Sequence, residues 1–156
     1  MLSATEILLM YSEMGVQGHA SMNVSDSTYG VPTEEYIVGP FADFYQDKMR
    51  DMNLETWEDQ NDCDNFAWLF FTDAQWAHYA TNKSTAEGLA IGVCYFMAGA
   101  RTEGGGGGGH AINTAVVGDE GNRRIIFIEP QYAACGKPCI LQLTPEEITS
   151  IWLINF

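Results

Sequence analysis

The hydrophobic pattern of this chain changes period partway along, and that change constrains the fold more than any other feature. Cys63, Phe66, Ala67, Phe70, Ala74 and Ala77 fall on one stripe of a single helix. Asp62 just ahead is a good N-cap, so the spacing puts Cys63 in the first helical turn. Beyond the helix, residues 89–98, 110–117, 124–129 and 139–143 read as strands, and 151–156 as a last one. Thr144-Pro145-Glu146-Glu147 is a short helical start, with proline at the first helical position. Upstream, Ala4, Ile7, Leu8, Tyr11 and Met14 recur at helical spacing, with Ser3 or Thr5 as cap and Gly15 as stop. A second helix is expected from about Phe41 to Met52, after Pro40. Residues 16–35 are rich in turn formers and read as a long surface loop. Helices come first and an antiparallel sheet follows, so the class is α+β. A chain of 156 residues is expected to form a single domain over 1–156. Its parts are a helical and loop region over 1–62, the helix over 63–81 and the sheet over 89–156.

Apolar residues make up 46% and aromatics 12%, which excludes intrinsic disorder. The 21 acidic against 7 basic residues give a net charge of −14. Such a surface repels phosphate backbones and anionic lipid, so neither nucleic acid nor membrane is an expected partner. It suits cationic substrates, calcium or plain solubility. No apolar stretch reaches the ~18 residues of a membrane helix. The first residues lack a basic region and carry Glu6 and Glu13, so no signal peptide is expected. A cytoplasmic location with reduced thiols is the default expectation. Cys135 and Cys139 bracket Gly-Lys-Pro and could face each other across a hairpin; they read as structural, with a disulfide as the alternative.

The chemistry centres on Cys63. Unpaired N–H groups at a helix start stabilise a thiolate, the nucleophilic form of cysteine. A lone cysteine on a helix stripe is more simply a small buried residue, so a second residue must decide. His110 supplies it, opening a strand directly after the hexaglycine Gly104–Gly109. That glycine run is either a plain mobile loop or the border of a site. A tight hairpin through Gly118–Gly121 puts Val117 opposite Asn122, and His110 directly opposite Glu129 with Cβ atoms about 5 Å apart. A glutamate there fixes the imidazole tautomer and favours imidazolium, which in turn favours thiolate. Gln131 lies one diagonal step away. His19 and His78 have no carboxylate at a defined spacing, and the other cysteines are not spaced to build a zinc site with Cys63 and His110.

Asp-Cys-Asp-Asn-Phe-Ala at 62–67, Gly-His-Ala-Ile-Asn at 109–113 and Ile-Glu-Pro-Gln at 128–131 together resemble the papain-like cysteine peptidase superfamily. The likeness covers roughly residues 60 to 131. Within the superfamily it is to the mushroom agglutinin proteases, whose triad is Cys-His-Glu with the glutamate in a Glu-Pro-Gln triplet. The resemblance implies a papain-like fold, Cys63 as nucleophile, His110 as base, Glu129 as orienting acid and Gln131 as a residue lining the site. Papain carries a glutamine six positions before its cysteine, where this chain has Trp57. Gln60 is the nearest glutamine, so Gln60, Asp62 and Asn65 are the expected lining of the oxyanion region. The sequence requires no cofactor. Calcium dependence is implied by the resemblance, and Glu58, Asp59, Asp62, Asp64 and Asn65 offer the hard oxygen ligands that calcium takes. The expected activity is hydrolysis of peptide bonds in a peptide or protein substrate through an acyl-thioester. A related acyl transfer (transglutaminase, cell-wall amidase or deamidase) and a non-catalytic binding module are the alternatives.

Overall fold

The computed structural model describes residues 1–56, 62–82, 87–99 and 108–156. Strand β1 (Leu2–Ser3) runs straight into helix α1 (Ala4–Met14). Ser3 caps α1 in a capping box with Glu6, and Gly15 closes it in the left-handed conformation at φ 104°. Residues 16–35, expected as a loop, contain two short strands, β2 (Ser21–Asn23) and β3 (Thr28–Gly30). Three residues carry too little periodicity to stand out from turn formers.

Helix α2 (Glu34–Tyr36) passes through a π-helical turn at Ile37–Phe41 into α3 (Ala42–Asp51). Pro40 lies inside that turn, where the wider winding accommodates a residue without an N–H. The turn brings Ile37, Phe41, Tyr45 and Met49 onto one buried face. The longest helix, α4 (Cys63–Thr81), follows at the expected place. Phe70 on its buried stripe meets the rings of Phe41 and Tyr45 edge-on, at centroid distances of 4.9 and 5.0 Å. Such pairs add about 0.5–1.5 kcal/mol each beyond the burial itself.

The remaining elements are β4 (Gly88–Leu89), β5 (Ile91–Met97), β6 (Gly109–Val117), β7 (Arg124–Ile128), α5 (Pro130–Ala134), β8 (Ile140–Leu141), α6 (Pro145–Thr149) and β9 (Leu153–Asn155). Six strands form one sheet in the order β2-β9-β5-β6-β7-β8, and β1-β3-β4 form a smaller one. Most pairs are antiparallel, but β2 runs parallel to β9 and β3 parallel to β4. The large sheet is thus mainly antiparallel, as expected, with β2 added in parallel at its edge. One face of the large sheet packs on α3 and α4, through residues such as Ala115, Val117, Ile126 and Ile128. The other face, through Cys94, Ile112, Val116 and Ile154, packs on α1.

The β6–β7 register differs from the tight hairpin. Val117 faces Arg124 and Asn113 faces Ile128, a shift of two residues. The connection is wider because Gly118 and Gly121 both take positive φ around a turn closed by the Asn122 N–H on the Asp119 carbonyl. A slip of two preserves the face, where a slip of one would have reversed it. The alternative of a Cys135–Cys139 disulfide is not realised: both thiols are free. Cys135 ends α5 and is exposed, its Sγ donating to the Glu55 carbonyl, whereas Cys139 is buried. A helix end at Cys135 replaces the hairpin that would have brought the two together. No helix among the described residues is long and apolar enough to cross a membrane.

Candidate active site

Helix α4 is held to its surroundings near its start. The Tyr45 hydroxyl on α3 donates to the Phe66 carbonyl at 3.0 Å. Asn113 on β6, fully buried, donates from its amide to the Ala67 carbonyl at 2.9 Å and the Gly92 carbonyl at 3.1 Å. Asn113 thus ties α4 to the sheet. Its signal in the sequence was a lone amide inside an otherwise apolar strand. The first turn is capped as expected: the Asp62 carbonyl accepts from Phe66 N–H at 3.2 Å, and Asn65 Oδ1 accepts from Asp62 N–H at 3.4 Å. Cys63 is half-buried there, packed with Tyr95 on the Ala67, Val93 and Ala111 cluster.

His110 is the second residue of β6, and its ring lies edge-on to Phe96 at 5.8 Å. Its Nε2 bonds Glu129 Oε2 at 2.7 Å, with both side chains nearly buried. The Cys63 thiol is close enough to act on the same imidazole. Because Nε2 is taken by the carboxylate, Nδ1 is the nitrogen left for the thiol. Burial on its own lowers the pKa of His110. The influence of Cys63 and the hydrogen bond to Glu129, with their negative charges, overcome that and raise it to about 9.

Glu129 does not end the strand as expected; it N-caps α5. Its second oxygen, Oε1, accepts from the Gln131 N–H at 3.3 Å. Pro130 at the first helical position has no N–H, so that of Gln131 is the first available to the cap. Gln131 therefore acts on the site through its backbone, by fixing the carboxylate that fixes His110.

Of the residues expected to line the oxyanion region, Asp62 and Asn65 stand at the start of α4, beside Cys63. Gln60 lies outside the described residues, as do Glu58 and Asp59 of the acidic run and Gly104–Gly107 of the glycine run. Asp62 Oδ1 is buried without a hydrogen-bond partner. The Asp64 carboxyl is hydrogen-bonded to Asp62 and titrates above the usual range, because of that bond, then burial, then the Asp62 charge. No group of three or more His, Cys, Asp or Glu side chains that could hold a metal ion is found among the described residues.

No family model and no curated protein matches the sequence. Solved structures do match. The structure of the PSL1a–E64 complex aligns with a TM-score of 0.70 over 99% of this chain and 49% of that one, at 18% identity. The crystal structure of Polyporus squamosus lectin bound to the human-type influenza-binding epitope Neu5Aca2-6Galb1-4GlcNAc aligns with a TM-score of 0.57. That match covers 88% of this chain and 42% of the lectin chain, at 20% identity. This chain thus spans about half the length of the chains it matches. The likeness establishes the fold: helices packed on a mainly antiparallel sheet, in the papain-like arrangement of the PSL1a protease domain.

Proposed function

We propose that the protein is a cysteine peptidase that works through Cys63, His110 and Glu129. The observation carrying this reading is the nearly buried imidazole of His110, bonded to Glu129 on one side and acted on by the neighbouring Cys63 thiol. A ring so flanked takes the thiol proton and holds it as imidazolium. The Cys63 thiolate then attacks the peptide carbonyl, and first-turn N–H groups of α4 stabilise the oxyanion. As the tetrahedral adduct collapses, the C–N bond breaks and His110 returns the proton to the leaving amine. Water, deprotonated by His110, hydrolyses the thioester and releases the acid. The fold likeness to a structure complexed with E64, a cysteine-protease inhibitor, supports the same reading.

Thiol labelling and turnover together test it. Cys94 and Cys139 are buried and their thiols are pushed up by burial, so exposed Cys135 is the fair competitor. Iodoacetamide at neutral pH should label Cys63 ahead of Cys135, and E64 should block that labelling. Cys63→Ala should abolish hydrolysis of an unfolded protein substrate. Labelling of Cys63 no faster than of Cys135, or full hydrolysis by Cys63→Ala, refutes the assignment.

A further inference from the structure

Beside the Cys63–His110 pair stands a row of aromatic rings that the triad does not use. Trp68, one and a half turns along α4 from Cys63, donates its indole N–H to the Tyr95 hydroxyl at 2.8 Å. Tyr95 in turn lies against Trp152, with ring centroids 6.0 Å apart. Trp68 and Trp152 are 39% and 37% exposed, so the row opens to solvent. Cys63 adjoins it, and Gly109, the residue before His110 in β6, lies under it. Tyr95 and Cys63 pack on one cluster. The Trp152 ring lies over Gly109, next to His110, so closely that a Cβ there would stand 2.7 Å from the ring. Glycine at 109 is thus what lets Trp152 reach the site.

Carboxylates adjoin the row, and no described cation is paired with them. Asp64 stands one turn before Trp68 on the same side of α4, and the charges of Asp64, Cys63 and Asp62 act on the Tyr95 hydroxyl, after burial the influences raising its pKa. Among the described cations, Lys48 pairs with Asp73, Arg50 with Asp47 and Glu55, Arg123 with Glu6 and Arg124 with Glu34. Lys137 lies over Tyr132. None of these serves Asp62 or Asp64, and Asp62 Oδ1 is buried without a hydrogen-bond partner among the described residues. Ring faces flanked by carboxylates attract a cation, and the more so where water is partly excluded. The net charge of −14 draws the same kind of ligand from a distance.

We propose that Tyr95, Trp152 and Trp68, with Asp62 and Asp64, form a subsite for a cationic side chain of the substrate, an arginine or lysine next to the scissile bond. This rests on the peptidase reading for its location, but binding tests it independently of turnover. The probes are peptides matched except for arginine or citrulline, placed at each of the two positions before the scissile bond. Citrulline keeps the shape and loses the charge. Calorimetric titration into Cys63→Ala, which binds without cleaving, should show the arginine peptide binding about tenfold tighter at one position. Added Trp152→Ala should bring the ratio towards one, Trp152→Phe should retain most of it, and Asp64→Asn should reduce it. Raising the salt concentration should also reduce it. Equal affinity for arginine and citrulline at both positions overturns the subsite, whatever the turnover. A clear arginine preference in a protein that cleaves none of the peptides upholds the subsite and overturns the peptidase reading.

Discussion

Glu129 serves two donors at once: Oε2 takes His110 and Oε1 takes the Gln131 N–H. An amide in its place has one acceptor for two donors. Glu129→Gln should therefore lower kcat by about 10²-fold, the scale of a lost acid–base arrangement, with little change in Tm. His110→Ala should cost more, since it removes the proton shuttle. The double variant should be little worse than His110→Ala alone, because members of one unit do not add. Steady-state turnover of the three variants decides it, and full activity in Glu129→Gln removes Glu129 from the mechanism. Cys63, His110 and Glu129 were singled out in the sequence by local signs: a capped helix start, a strand after glycines, and a carboxylate ahead of a proline, which reads as a strand end. The row of Trp68, Tyr95 and Trp152 was not, since the three come from α4, β5 and the segment before β9. Only tertiary packing brings them together.

At the scale of elements, the start of α4 depends on Asn113. Asn113→Ala leaves buried carbonyls short of a donor and opens a void, a loss of about 2 kcal/mol. For a chain of this length that corresponds to a Tm lower by roughly 4–8 °C. Asn113→Asp should be worse at neutral pH, where a carboxylate faces the Ala67 and Gly92 carbonyls. It should recover part of the loss in acid, where the protonated group donates again. Thermal melts at two pH values check both, and an Asp variant that melts above the Ala variant at neutral pH removes the donor role. Long periodic elements such as α4, β5 and β6 were legible in the sequence. The short strands β2 and β3 were not, because their three residues pair only with distant partners. The β6–β7 register escaped for a different reason. Gly118 and Gly121 both permit positive φ, and two glycines allow turns of more than one width. The helix α5 was hidden because Glu129-Pro130 reads equally as a strand end or as a cap followed by a first helical residue.

For the whole molecule, His110 links stability and activity to pH. Its folded pKa of about 9 stands above the ordinary 6.5, so the protonated ring favours the native state. That contribution is complete below about 6.5 and is lost as pH rises through about 9. Tm should fall between pH 7 and pH 10 by more in the native sequence than in His110→Asn, and parallel curves would contradict this. Activity should fall on the same alkaline limb, as imidazolium gives up its proton. The large sheet also imposes an order in time. Among the described residues its edge strand β2 pairs only with β9, so Ser21 waits for Leu153 and Asn23 for Asn155. During synthesis, the segment at 21–23 must stay unpaired until that at 153–155 has emerged. Closing so long a loop costs little more free energy than closing one half its length, because the entropy grows only with the logarithm of length. The penalty falls on rate instead. β2 is placed to be the last strand to dock when the chain folds and the first to peel away, and amide exchange at Ser21–Asn23 should report its opening before α4 is disturbed.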